Sequence, residues 1–486
     1  MPGAGSSSGP GTLREFVLAG PGAGIDATAA AGSGPLSVLA APGRVDAALA
    51  RAGHGDQRRG LLGAAVSTVL VLGLCLYCPE GYAAVLGRLW PLLTSFNPAL
   101  AMSGPVSAAA LSQARSRLPA GVLRAVFEAG TQILGIEPQA GQRRFGLLLS
   151  AVDGTVFDLP ATDAIKARFA VPSGGRFPQV RVVTLVACGT RRVLAAVLDS
   201  CAVSEQALWD RLVTGLQPGT LNLADRNFFA MHRWRRAAGT GAHLVWRVKN
   251  GPKSLPASII KVLDDGSCLV RLRESDSMLS ARRKTSGEAK AARLDDITAR
   301  LVEFVVTVTD EAAKTSTSRF RVLTTLLDPQ AYPAPQIAAC YAERWQVEIV
   351  YKTIKSSLRG AGRRLRGHSP QLAEQEVWGL LAVYNAVVDQ AVSAAVDLDI
   401  DPDQISFTTV LRALRDHLAT RPACANCGHH TTRPATDLTT AIINGPRNRP
   451  RRQRASPRTP KERQTHHTRN VAYTIDITEA NLPTTT

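Results

Sequence analysis

The sequence contains no glycine-rich phosphate loop of the P-loop type, which argues against ATP as a fuel. Its eight cysteines are scattered and lack the dense regular spacing of a small secreted scaffold, so reduced thiols in a cytosolic protein are expected. The N-terminus, MPGAGSSSGPG, has no basic segment followed by an apolar core, and no secretory signal is read there. Acids are also in short supply: 39 Asp and Glu face 57 Lys and Arg, giving a formal charge of +18 and a pI near 10.1. Such a balance favours a polyanionic partner, nucleic acid before membrane lipid.

What is present is a chain of 486 residues, 45% hydrophobic, long enough for two to four domains. Residues 1–55 are rich in Gly, Ala, Pro and Ser and are expected to be disordered. Residues 56–135 read as helical. Their apolar run LLGAAVSTVLVLGLCLY (Leu61 to Tyr77) is near the lower length limit of a membrane span, yet it reads as a buried core helix, and no membrane partner is expected. In SAAALSQARSRLPAGVLRAVFEAG, Pro119 and Gly121 break two short amphipathic segments, with Arg115, Arg117 and Arg124 expected at exposed positions. Two helices at a turn suit a DNA-reading helix-turn-helix, and equally a plain helical hairpin.

From residue 140 to 360 the period changes. FGLLLSAVDGT, VRVVTLVACGT, RRVLAAVLDS, TLNLAD and HLVWRVKN read as strands, with helices at SEQALWDRLV and around FFAMHRWRRA. This order predicts an α/β fold with a mixed sheet covered on both faces. Residues 251–330 read as a β-rich insertion and residues 361–420 as C-terminal helices. Beyond residue 421 the chain is polar. Nine Lys and Arg stand against one Glu between Arg447 and Arg469, a block expected to be disordered and either attracted to phosphate or merely solubilising. The cluster Cys424, Cys427, His429 and His430 offers four soft ligands, but no second Cys/His block stands close to it, and Cys75 and Cys78 lie in an apolar segment.

One helix carries an unusual charge pattern. In YAERWQVEIVYKTIKSSLRG, taking about 100° per residue, Tyr341, Arg344, Glu348, Lys352, Lys355 and Arg359 project within an arc of roughly 80°. Val347, Val350, Ile354 and Leu358 form a separate apolar arc. A single carboxylate is thus presented among cations. A solvated face with Arg344 and Glu348 as an i,i+4 pair would give the same pattern. Two strands add acids at their ends: Asp153 closes FGLLLSAV, and Asp225 closes LNLA. Asp153, Asp225 and Glu348 would suit a pair of Mg²⁺ ions, because hard cations prefer oxygen ligands. Two such ions can activate water and stabilise a leaving oxygen at a phosphodiester.

These residues resemble a family. The strand order and the acids are similar to the ribonuclease H-like core of DDE transposases. Tyr341, Arg344, Glu348 and Lys355 match the Tyr-x2-Arg-x3-Glu-x6-Lys signature of the insertion-element-four group. AVDGT and LADRNFF resemble the motifs of the first and second acids, and the resemblance covers about residues 56–420. It implies metal binding by Asp153, Asp225 and Glu348, with Mg²⁺ replaceable by Mn²⁺. It further implies phosphate contacts by Arg344 and Lys355 with Lys352 adding to them, a backbone contact by Tyr341, and Arg226 supporting the second acid or the strand. Partners would be the terminal repeats of a mobile element, target DNA and a second copy in a dimeric synaptic assembly, in the cytoplasm on the nucleoid. A DNA-binding protein that has lost catalysis is the alternative, and the intact acids argue against it. Family members that make hairpin ends are expected to stack a flipped base on aromatic side chains of the insertion. Here that segment has only Phe304 and Phe320 and no Trp or Tyr.

Overall fold

β-Branched residues in runs such as QVRVVTLVA build strands β1 (Arg143–Arg144), β2 (Leu147–Asp158), β3 (Gln179–Ala187), β4 (Val193–Ser200), β5 (Thr220–Ala224) and β6 (His243–Arg247). The computed structural model describes residues 42–54, 60–103, 106–131, 143–250, 255–287, 292–309, 315–419, 438–448, 472–480 and 482. In space the strands lie in the order β4-β3-β2-β5-β6. The first three are antiparallel, and β5 and β6 run parallel to β2, which is the ribonuclease H-like arrangement. The insertion does not form a separate β unit. Its strands β7 (Ala257–Val262), β8 (Cys268–Leu272), β9 (Ile297–Thr309) and β10 (Thr315–Thr324) extend the same sheet, because β10 pairs antiparallel with β6. A helix over Asp276–Ser286, unread in the sequence, connects β8 to β9.

Alternation along the strands feeds two cores. Ala151, Leu221, Leu223 and Val245 enter one, together with Val347, Val350 and Ile354 of the later helix and the long helix Pro370–Asp397. Val152, Ala224, Leu244 and Trp246 enter the other, together with Trp209 and Trp234. The N-terminal helix Ala64–Leu76 is buried at every residue from Val66 to Leu76, so its all-round apolar character belongs to a core. Helix Pro370–Asp397 has the length and composition to cross a membrane, but Gln375 to Val388 are continuously buried among the other helices.

Three expectations are corrected. Arg115 is not at the surface. It is 3% exposed and donates to Gln375 Oε1 (3.3 Å), the Tyr82 hydroxyl (3.1 Å) and the Leu372 carbonyl (3.0 Å). The second half of the proposed helix-turn-helix, Ala120–Thr131, buries Val122, Leu123, Ala125, Val126 and Phe127, chiefly against the long helix, and so has little face left for a DNA groove. Chain expected to be without structure also contributes elements. Pro42–Arg51 is a helix with Val45, Ala48 and Leu49 buried, Leu438–Ile443 is a helix, and β11 (Ala472–Thr478) pairs antiparallel with β9. Most of the basic block and the whole Cys424 to His430 cluster lie outside the described residues.

Arg192 ties the three regions together. At 1% exposure it grips Asp389 through Nε (2.6 Å) and Nη2 (3.2 Å), and it donates to the carbonyls of Gly130 and Thr131 at the end of helix Ala120–Thr131. Truncation would strand a carboxylate that burial already pushes up in pKa against the pull of Arg192. Arg192→Ala is expected to cost about 3 kcal/mol, the low end for a broken buried pair because Asp389 keeps partial solvent access. A fall in the urea midpoint measures it. Arg192→Lys should not restore the loss, since a point charge cannot reproduce the fork.

Candidate active site

The site forms where the parallel strands end. β2 and β5 pair from Leu148↔Thr220 to Ala151↔Leu223, and β5 pairs with β6 up to Ala224↔Trp246. Continued by one or two residues, this register sets Asp153 beside Asp225 and Asp225 beside Arg247. All three share the parity of Ala151, Leu223 and Val245, so they face the helical core. Buried polar groups fix that register: Asn222 Nδ2 donates to Ser150 Oγ (3.3 Å), and Trp246 Nε1 donates to Asn222 Oδ1 (3.0 Å). Asp153 differs from its expected place at a strand end. β2 continues past it to Asp158 because β3 keeps pairing, with Asp153 opposite Thr184. Only the β5 side opens, which still leaves the carboxylate at an edge.

The helix carrying Glu348 lies across this row. It runs as Ala334–Ala342, a tight 3₁₀ turn at Glu343–Trp345, an α-helical stretch at Gln346–Lys352 and a π turn at Thr353–Leu358. A uniform 100° projection therefore fails beyond Lys352, where the wider turn rotates Lys355 and Arg359 onto the buried Phe157 ring, each 5.3 Å from its centroid. Tyr351 locks the helix to the strand. Its buried hydroxyl donates to the Asp153 carbonyl (2.5 Å) and lies 2.8 Å from Thr184 Oγ1.

Arg344 occupies the centre. It is 8% exposed, and it donates from Nη1 to Asp153 Oδ2 (3.1 Å) and from Nη2 to Glu348 Oε1 (3.3 Å). Glu348 thus joins Asp153 through a shared guanidinium. Among the described residues no group of three His, Cys, Asp or Glu side chains forms a metal cage as it stands. Burial pushes the Asp153 carboxyl above its ordinary range. Arg344 and the Gly154 N–H (2.8 Å) pull against that shift, and Asp225 adds to it. Burial works against the charge of Arg344, but Tyr341 and then Asp153, Asp225 and Glu348 outweigh it and raise its pKa, keeping it cationic. Asp225 is less well served. Arg247 Nη1 is 3.9 Å from Asp225 Oδ1, beyond hydrogen-bond reach, and that buried oxygen has no hydrogen-bond partner. An all-carboxylate donor set with an unsatisfied buried oxygen suits hard divalent cations.

The remaining expected residues are distributed unevenly. Tyr341 is buried at 6% exposure rather than open to a DNA backbone, its ring leans on Phe320, and desolvation pushes its hydroxyl up to about 12. Arg226 and Lys352 are exposed, and Lys355 is half-buried. Phe304 and Phe320 stack on each other across β9 and β10, with centroids 5.4 Å apart. Sequence reasoning missed Arg247, Thr184 and Tyr351. Only Arg247 left a signal, as a cation breaking the apolar run HLVW one residue after the strand partner of Ala224.

Comparisons with known proteins identify the family. The model of the transposase DDE domain matches residues 144–386, and that of the insertion element 4 transposase N-terminal region matches residues 34–128, which includes the helix at Pro42–Arg51. The transposase InsG for insertion sequence element IS4 of Escherichia coli is 28% identical over 372 residues, covering 76% of this chain and 78% of that one. A cryo-EM structure of a piggyBac transposase synaptic complex with hairpin DNA is similar at 9% identity, covering 79% of each chain with a TM-score of 0.43. With half of its length inside one family model and its N-terminal region inside the companion model, the chain belongs to the DDE transposases of the insertion element 4 family.

Proposed function

We propose that Asp153, Asp225 and Glu348 are the catalytic acids of this transposase and hold two Mg²⁺ ions, for which Mn²⁺ can substitute. The reading is carried by the β2–β5 register, which continued by two residues sets Asp153 beside Asp225, with Arg344 joining Asp153 to Glu348 and a buried Asp225 oxygen lacking a hydrogen-bond partner. Bound divalent cations supply an activated water and stabilise the leaving oxygen at a phosphodiester. The chain's own residues do the rest. Arg344 offsets the charge of Asp153 and Glu348, and with divalent cations held by those carboxylates it would be the cation that faces the DNA phosphate at the cut. Tyr341 holds the apolar side of Arg344, Lys352 and Lys355 receive phosphates one turn further on, and Arg226 meets DNA beside Asp225. The N-terminal helical region binds the element's terminal repeats, and two copies hold two ends in a homodimeric synapse on the nucleoid in the cytoplasm. Nicking and strand joining are the proposed steps. A hairpin intermediate is not, because Phe304 and Phe320 are engaged with one another.

The test uses the full chain and a duplex carrying one element end with its flanking DNA. Mg²⁺ is expected to yield a nick with a 3′-hydroxyl at the end and, with target DNA added, a joined product. EDTA should remove both, and Mn²⁺ should restore both. Cleavage that persists in EDTA, or cutting without any joining, would overturn the reading. Because burial raises the pKa of Asp153, protons compete with the cation at a higher pH than at an ordinary aspartate. The ionised form is the ligand, so Mg²⁺ affinity should fall on acidification while most exposed carboxylates are still charged. Mg²⁺ titrations of nicking between pH 5 and 8 measure this shift.

A further inference from the structure

Away from the acids, the loop between β2 and β3 and the segment after the signature helix meet at one aromatic ring. Phe177 is approached by two guanidiniums: Arg364 lies 4.3 Å from the ring centroid and Arg176 lies 5.5 Å from it. Arg176, Arg363 and Arg364 are exposed, and among the described residues none of them forms an ion pair. The loop is built to a fixed shape. Gly175 N donates to the Pro172 carbonyl (2.8 Å), Gly174 has φ +69°, and a Cβ on Gly175 would stand 2.6 Å from Pro172 Cγ. Its ends are tied by Gln179 N to Ala170 O (3.0 Å) and Leu159 N to Pro178 O (2.9 Å), and Leu365 N reaches Asp158 O (2.9 Å) from the other segment. The arginines are therefore pre-positioned cations that have no ion-pair partner among the described residues.

Their place relative to the acids follows from β2. Asp153, Thr155 and Phe157 share one face, and Lys355 and Arg359 cover Phe157. Leu159 N meets Pro178 O next to Phe177, and the six residues from Asp153 to Leu159 span about 20 Å, which is roughly six rises of 3.4 Å along a DNA strand. We propose that Arg176, Arg363 and Arg364, set around Phe177, form a second phosphate clamp that grips the DNA backbone about six base pairs from the cut. It rests on the reading of Asp153, Asp225 and Glu348 as the cleavage site. The clamp positions DNA and touches no reacting atom. Its ring is occupied by guanidiniums, so the proposed clamp reads phosphate charge and not bases.

The experiment compares full-length protein with Arg176→Ala/Arg364→Ala and with Arg176→Lys/Arg364→Lys, on end-containing duplexes extending either two or ten base pairs past the cut. Losing two phosphate contacts lowers the slope of log K against log salt by about 1.8, so between 50 and 200 mM salt the alanine variant loses about tenfold less affinity than wild type. On the short duplex the two proteins should match. The lysine variant should keep the slope, and nicking of saturated long duplex should stay within about twofold. An unchanged slope on the long duplex, or an equal change on both duplexes, overturns the clamp. If the alanine variant melts early, Arg363→Glu is read in its place, with the same length dependence required. Asp153→Asn run alongside separates the two ideas: absence of nicking in wild type with the slope change intact would sink the cleavage reading alone.

Discussion

Asp153→Asn is expected to lower Mg²⁺-dependent nicking by about 10³-fold or more, equivalent to roughly 4 kcal/mol of lost transition-state stabilisation. The amide keeps the shape of the side chain, and its single oxygen can still accept from one of Gly154 N and Arg344, which now meet separate oxygens of Asp153, so one hydrogen bond is lost and the fold should hold. It lacks the charge that a cation needs. Binding to end-containing DNA, read by anisotropy in EDTA, should stay within a few-fold of wild type. Equal nicking by the two proteins would remove Asp153 from the catalytic set, and with it the pairing to Asp225 on which that set is built.

Arg344→Ala is expected to be nearly as damaging, by about 10²-fold in nicking, the size of effect seen when a pre-organised charge facing a transition state is removed. Its signature should differ from the loss of a ligand. Arg344 now offsets the charge of Asp153 and Glu348, so its removal takes away a cation that competes with Mg²⁺. At pH 8, where the carboxylates are ionised, half-maximal Mg²⁺ should fall in Arg344→Ala and rise in Asp153→Asn. The sign reverses in acid. Without Arg344 the pKa of Asp153 climbs further, because the largest opposing influence on its burial is gone, and the acid limb of the rate moves to higher pH. Arg344→Lys should recover little, since one ammonium cannot bridge two carboxylates that a guanidinium spans with separate nitrogens. A rise in half-maximal Mg²⁺ for Arg344→Ala at pH 8 would sink the compensating role.

Much of this centre was legible before any coordinates, for physical reasons. The apolar run that stops at Asp225 marks where β5 leaves the sheet, whereas β2 runs on past Asp153 and only its pairing with β5 ends nearby, and a helix with one acid among cations cannot bury that face unaided. These signals are local. Arg115 shows where local reasoning stops: periodicity places it on a polar face, while Gln375 and Leu372, far along the chain, supply the partners that bury it. The same distance hides the Ser150, Asn222 and Trp246 chain, whose polar side chains look out of place in central strands until their neighbours are known. The π turn at Thr353–Leu358 is invisible to a helical wheel, and β11 lies next to chain whose composition reads as solvated. Arg247 becomes meaningful only once β5 and β6 are set in parallel register.

The pairing of β11 with β9 also has a bearing on how the protein is made. β9 ends at Thr309 and its partner begins at Ala472, so about 160 residues are synthesised between the two, some 8–30 s of translation at ordinary rates. Throughout that interval the stretch of β9 from Glu303 to Thr309 has no native neighbour on the side away from β10, while β8 already covers Ile297 to Leu301, and such an open edge invites a strand from another nascent chain.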